Sequence, residues 1–218
     1  TKLAIVRKFL GVKSARPLGG KRRSRKLVPN APRYAHSSSN TFYQWHLNNT
    51  GENGSVANLD VNIESVWDEY LGTGVTISVV DDGLEVAHPD LASNVNTAID
   101  HDWNDSTPDD PTPPTEQQED GTYWDHGTSV AGVSAGRGDN GIGVSGAAPR
   151  SQLVGLKLLT ADTTPADDAA AIGWRTDVID ISNNSWGEED DGQTLFRPDD
   201  LLVSAYEAGV ENGRGRKG

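Results

Sequence analysis

The run Val75-Thr76-Ile77-Ser78-Val79-Val80 constrains this chain more than any other stretch, because five of its six side chains are β-branched. It is bounded by Gly72-Thr73-Gly74 before and Asp81-Asp82-Gly83 after. Such a run predicts a strand buried on both faces, the kind that parallel sheets use when helices cover each side. Residues 153–159 (LVGLKLL) and 178–182 (VIDIS) repeat the pattern. Helical segments alternate with them: residues 165–174 begin with proline and paired acids, and residues 198–210 open the same way. The alternation predicts an α/β fold of three layers, a parallel sheet flanked by helices. Residues 62–71 carry apolar side chains at 63, 66, 67, 70 and 71, which predicts a short amphipathic helix. Residues 100–120 are acidic and proline-rich and read as a surface loop. The GTG triplet precedes the strand instead of following it, which excludes a dinucleotide fingerprint.

The first strand delivers Asp81 to the carboxyl edge of the sheet. Downstream, His126-Gly127-Thr128 leads into a small-residue helical pattern (Val130, Ala131, Val133, Ser134, Ala135), placing an imidazole at a helix entrance. An acid at a strand end and a histidine at a helix start can meet over one crevice. A carboxylate that orients a histidine, which then moves a proton, is two-thirds of a hydrolytic triad, and acid before histidine is one of its chain orders.

Four motifs carry a resemblance to a known family: VVDDGLE at 79–85, QWHL at 44–47, WDHGTSVAGVSAG at 124–136 and ISNNSWGEEDDG at 181–192. Together, from about residue 42 onward, they resemble the subtilisin-like serine peptidases, and in detail the kexin and furin branch. The resemblance implies a subtilisin-like α/β fold in which Asp81 is the triad acid and His126 the base. Asp82 would face a basic substrate side chain one place upstream. Ser185, Trp186 and Gly187 would form the edge on which an extended peptide adds as a strand. Asp190 would pair with the arginine before the scissile bond, and Asp168 would serve a more distant basic residue. Calcium is the implied cofactor, held by the carbonyls of Arg137, Ile142 and Val144, the Asn140 side chain and Asp90. His88 is implied to be structural.

The chain also departs from the family. Phe196 stands where mammalian members carry an acid, and Ser39 or Asn40 where an N-terminal aspartate would complete the calcium site. Asp102, Asp105 and Asp109 read as solvated loop acids or as a second ion site. Ser129 lies in a GTS triplet, but the family nucleophile occupies a separate GTS-x-x-x-P motif, absent from these 218 residues, as is the glycine-asparagine turn of the oxyanion hole. The expectation is therefore a fold incomplete at its C-terminus, a fragment of a longer peptidase that is inactive alone. The alternative is a non-catalytic calcium- or peptide-binding pseudo-peptidase. A metal hydrolase built on His88, His101 and His126 lacks HExxH or comparable ligand spacing.

Charge and composition narrow the partners. Residues 1–33 hold 11 of the 19 Lys and Arg and none of the 32 acids, so a basic arm precedes an acidic domain. Residues 1–41 read as a linker or the end of a pro-segment, with residues 42–218 as the N-terminal part of the peptidase domain. The basic cluster at 21–26 is solvated linker charge, a processing site or a nucleic-acid patch. The last is disfavoured, because no aromatic is interleaved and the acidic domain would repel phosphate. The acidity itself reads as solubility, as a salty habitat, or as attraction of cations and of basic peptides, the last being the expected substrates. No cysteine is present, which excludes disulfides and thiolate chemistry. No apolar run approaches the roughly 18 to 20 residues of a membrane span. The resemblance implies a secreted, cell-surface or periplasmic location, with any signal peptide upstream.

Overall fold

The computed structural model describes residues 28–37, 41–104, 110–187 and 191–216. Strand β1 (Thr76–Asp81) is buried at all six positions and lies inside the sheet. It pairs in parallel with β3 (Gln152–Lys157) from Thr76↔Gln152 to Asp81↔Lys157, and with β4 (Ile181–Asn184) from Ile77↔Ile181 to Val80↔Asn184. A two-residue strand, β2 (His101–Asp102), lies parallel to β3 on its far side, giving the order β2-β3-β1-β4. Because side chains alternate across a strand, Ile77 and Val79 join Leu153, Leu84 and Leu91 on one face, while Val80 joins Val154, Leu156 and Leu158 on the other. Helix α1 (His126–Ala135) supplies Ala131 and Ala135 to the first core. Helix α2 (Pro165–Ile172) supplies Ala171 to the second, and α3 (Asp200–Arg216) packs along α2. The three-layer α/β arrangement is the one the sequence predicts.

Helix α1 approaches β1 closely because its buried face is made of small residues. Gly127, Ala131 and Ala135, four apart, are its buried positions. A Cβ at residue 127 would stand 2.3 Å from the Gly83 carbonyl oxygen and 2.8 Å from the Asp81 Cβ, so only glycine fits where the helix start meets the strand end. Helix α2 starts as its sequence predicts. Thr164 and Asp167 form a reciprocal capping box, with Pro165 in the first turn.

Several expectations are corrected. Residues 62–71 form turns and no α-helix. The Ile63 carbonyl accepts from both Val66 and Trp67, Asn62 has φ 53°, and only Trp67 is fully buried, so too few residues are packed to sustain a short helix. The expected surface loop at 100–120 begins inside the sheet. Asp100 Oδ1 accepts from the Gly155 amide at 3.1 Å, and Asp102 pairs with Lys157 at 2.5 Å with both side chains buried. Residues 28–37, expected within the linker, are docked on the domain: Asn30 N donates to Gly138 O and Arg33 N to Gly143 O, and Tyr34 is 2 % exposed. Strand β4 starts three residues later than expected, and in α3 the backbone leaves helical geometry at Gly213, Arg214 and Gly215. The basic cluster at 21–26 lies outside the described residues, as do Ser39, Asn40, Asp105 and Asp109.

Candidate active site

Strand β1 ends in Asp81, whose side chain is fully buried on the α1 face. Its Oδ1 lies 2.8 Å from His126 Nδ1 and also accepts from the Asp82 amide at 2.9 Å. Since an ionised carboxylate only accepts, this contact fixes the proton on Nδ1 and leaves Nε2 as an acceptor. The His126 side chain is 57 % exposed, so its remaining nitrogen faces an open site. The hydrogen bond to Asp81 raises the imidazole pKa above its ordinary value; partial burial opposes this, and the charges of Asp81, Asp82 and Asp125 add to it. An acid, a correctly oriented base and an accessible base nitrogen are thus assembled by one strand end and one helix start.

The other predicted residues are distributed around this pair. Asp82 has both carboxylate oxygens on backbone amides, Oδ2 accepting from His126 N at 3.0 Å and Oδ1 from Gly127 N at 2.8 Å. The sequence assigned it to a substrate side chain; in the fold it is 5 % exposed and bound to α1. Burial raises its pKa, partly offset by those two amides. Ser185, Trp186 and Gly187 follow β4, the strand beside β1, and Trp186 Nε1 donates to Val80 O at 3.0 Å. That bond holds the segment at the carboxyl edge next to Asp81. Asp168 sits in the first turn of α2, on the opposite face of the sheet from α1, and accepts from the Thr163 hydroxyl at 3.1 Å. Asp190 lies outside the described residues. Ser129 is exposed on α1, and among the described residues its backbone amide bonds Asp125 O.

Asp90 and the 137–144 loop, which the resemblance assigns to calcium, are in contact. Asp90 is 2 % exposed and accepts from Asn140 Nδ2 and from the Val144 amide, both at 2.7 Å, while its carbonyl accepts from the Arg137 amide at 2.9 Å. Ile142 N donates to Asn140 Oδ1 at 3.1 Å. The Arg137 guanidinium turns away, to Asp139 and Asn94. Among the described residues, the partners of the buried Asp90 carboxylate are therefore neutral amide N–H groups of the 137–144 loop. The oxygen types these residues carry, a carboxylate, a side-chain amide and backbone carbonyls, are those a hard cation takes. The three histidines of the metal-hydrolase reading do not converge. His88 Nδ1 accepts from the Asp90 amide, His101 stacks on Trp174 at 4.3 Å, and His126 holds Asp81. Among the described residues, no group of three or more His, Asp or Glu side chains is placed to hold a metal ion.

Sequence reasoning missed the fastening of this site from a distance. Gln44 clasps Ser145 twice, Nε2 to its carbonyl at 2.8 Å and Oε1 from its amide at 2.7 Å. Asn94 Nδ2 donates to the carbonyls of Ala135 and Pro149. Both are buried polar residues whose partners lie far away in sequence, so although Gln44 stands in the QWHL motif, nothing local marked the bonds they make.

Comparison with known proteins gives the family and the fold. The subtilase family, Peptidase_S8, matches residues 72–215. Human neuroendocrine convertase 2 is 39 % identical over 178 residues, covering 80 % of this chain and 27 % of its own length. Endoprotease bli-4 of Caenorhabditis elegans is 38 % identical over 205 residues, 91 % of this chain and 21 % of its own length. Among solved structures, a serine protease of Aeromonas sobria matches with a TM-score of 0.65 at 32 % identity, over 90 % of this chain and 32 % of that one. A complex of the Aeromonas sobria protease with a chaperone matches at TM-score 0.58 and 35 % identity, over 74 % of this chain and 27 % of that one. The chain spans about a quarter of the length of the curated relatives it matches.

Proposed function

Because the chain belongs to the subtilase family, we propose that Asp81 and His126 are the acid and base of a calcium-dependent serine endopeptidase that hydrolyses peptide bonds after basic residues. The observation that carries this is the 2.8 Å contact between His126 Nδ1 and a buried Asp81, with the rest of the imidazole open to solvent. In that geometry Nε2 takes the proton of a serine hydroxyl as its oxygen attacks the scissile carbonyl. The imidazolium, steadied by Asp81, then returns the proton to the leaving amine, and water resolves the acyl ester. The segment Ser185-Trp186-Gly187, beside Asp81 at the sheet edge, would receive the substrate backbone as an added strand. We place the activity outside the cytoplasm, with residues 1–41 including the end of a pro-segment.

Basic specificity rests on Asp190, with Asp168 serving a more distant position. A carboxylate in the primary pocket pairs with arginine in a site closed to water, whereas leucine leaves it buried without a partner. On paired peptide substrates, a polypeptide carrying these residues and the triad serine is expected to favour arginine over leucine by about two orders of magnitude in kcat/KM. Asp190→Asn should remove most of that preference while amide hydrolysis persists. Equal rates on the two substrates would reduce the proposal to a general endopeptidase.

Calcium would be held by Asp90, Asn140 and the carbonyls of Arg137, Ile142 and Val144. Its contribution there is structural charge compensation, since among the described residues the buried Asp90 carboxylate is bonded by neutral amides. Saturation at a hundredfold excess over Kd would stabilise the fold by about 2.7 kcal/mol. Thermal unfolding in chelator should therefore begin several degrees lower and recover with calcium but not magnesium, whose small octahedral shell fits such a loop poorly. Asn140→Ala should blunt the recovery. A melting temperature indifferent to chelator would remove the ion from this loop.

A further inference from the structure

We infer that Asp82 is a positioning residue for His126: its carboxylate caps the start of α1 from outside the helix and thereby sets the imidazole against Asp81. This rests on the reading of Asp81 and His126 as a catalytic pair, and it gives Asp82 a part in holding that pair.

The first turn of an α-helix leaves amide N–H groups without partners inside the helix, and the N-cap side chain ordinarily takes one of them. In α1 the N-cap residue is Asp125, and its side chain makes no such bond. The task falls to Asp82, 44 residues before His126 in sequence, which accepts from the first two helical amides, His126 N and Gly127 N. Only a carboxylate offers two acceptors and no donor in that fork. Asparagine would turn an NH2 group toward one of the amides, and serine has a single oxygen. The negative charge also lies at the positive end of the helix dipole. Burial disfavours the ionised form of Asp82, and the two amide bonds are what hold against it.

Neighbouring contacts run between the same two segments. His126 Nδ1 meets Asp81, His126 N and Gly127 N meet Asp82, and the Thr128 hydroxyl oxygen accepts from the Glu85 amide at 3.1 Å. Three consecutive residues of α1 are thus tied to the turn that ends β1. Asp82 is the member that holds the backbone of the histidine itself. Asp81 is fixed by its strand, so loss of the Asp82 cap frees the base to move relative to the acid. A displacement of about 1 Å between such groups is enough to cost roughly a hundredfold in rate.

The charged groups facing His126 are Asp81 and Asp82 from the end of β1 and Asp125 from the start of α1. Removing the Asp82 charge alone would lower the imidazole pKa, so titration does not separate positioning from simple electrostatics. Amide protection and the Nδ1 proton do. The experiment is NMR on the isotope-labelled 218-residue chain, reading hydrogen exchange at the His126 and Gly127 amides and the low-field Nδ1–H resonance of His126. Asp82→Ala should speed exchange at both amides about tenfold, the effect of losing a cap, and abolish the low-field resonance. Asp82→Asn, with one acceptor oxygen left, should deprotect one amide and retain the resonance. Unchanged protection at both amides in the two variants, with equal lowering of the His126 pKa, would overturn the inference and leave a charge effect. Should the alanine variant not fold, the asparagine variant decides: one amide deprotected supports the cap, and both protected overturns it. Asp81→Asn tests the underlying pair separately. If it leaves the low-field resonance in place, the catalytic pairing fails, while the exchange data still report on Asp82.

Discussion

Replacing Asp81 with asparagine, in a polypeptide that also carries the proposed triad serine, is expected to lower kcat by roughly four orders of magnitude, the loss known for this substitution in serine peptidases with an Asp-His-Ser triad. The structure supplies the reason. Asp81 Oδ1 accepts the proton of His126 Nδ1 at 2.8 Å, whereas an asparagine rotated to offer its NH2 group would donate to Nδ1 and drive the imidazole into the other tautomer. Nε2 would then carry a proton and could not accept one from serine. Packing should be little disturbed, because asparagine has nearly the same shape and the site is closed around it. The change should also remove the main interaction holding the His126 pKa up, so the acid limb of the pH–rate profile shifts to lower pH. The same bond affects stability with a definite sign. It counts fully below the ordinary imidazole pKa and is lost as pH rises through the raised folded value. Turnover within tenfold of the unmutated enzyme would show that Asp81 is not the orienting acid.

That pair was legible in the sequence because each half is marked locally. The β-branched run ending in Asp81 has one buried destination, and the small residues at 127, 131 and 135 share one helical face, which lets the helix rest on the strand. The parallel sheet followed from the same runs. What stayed hidden depends on partners distant in sequence. Asp100 and Asp102 look like loop acids, yet they are buried because Gly155 N and Lys157 meet them across the sheet. Residues 28–37 look like linker because their composition is basic and without periodicity, yet Tyr34 and Ala31 are buried against Trp67 and backbone groups such as Arg33 N bond Gly143 O, partners that lie far away in sequence. Asp82 reads as half of an acidic doublet. Its capping of α1 emerges only when the strand end and the helix start are in contact. Residues 62–71 failed in the opposite sense, since their periodicity was helical but only Trp67 found a buried site.

Trp67 is the position at which a substitution should cost most in stability. It is 2 % exposed and forms, with Ala31, Tyr34 and Leu47, a cluster separate from the two cores of the sheet. Its ring lies 5.9 Å from that of Tyr34, and its Nε1 donates to Ala147 O at 2.8 Å, so one side chain joins residues 31–71 to the segment after the 137–144 loop. Trp67→Ala is expected to lower the free energy of unfolding by about 3 to 5 kcal/mol, through lost burial and an unfilled cavity. For a domain whose whole stability is of order 5 to 15 kcal/mol, that is a large share, read directly as a fall in the urea midpoint. Trp67→Phe would restore part of the packing but not the bond to Ala147, and should recover all but about 1 to 3 kcal/mol. The alanine variant should also blunt any calcium response. Asn30 and Arg33, beside the Trp67 cluster, bond the backbone of Gly138, Gly141 and Gly143, and this pins the loop around Asp90. A midpoint unchanged by Trp67→Ala would mean that this layer unfolds independently of the sheet, and the link from Trp67 to the Asp90 loop would be lost with it.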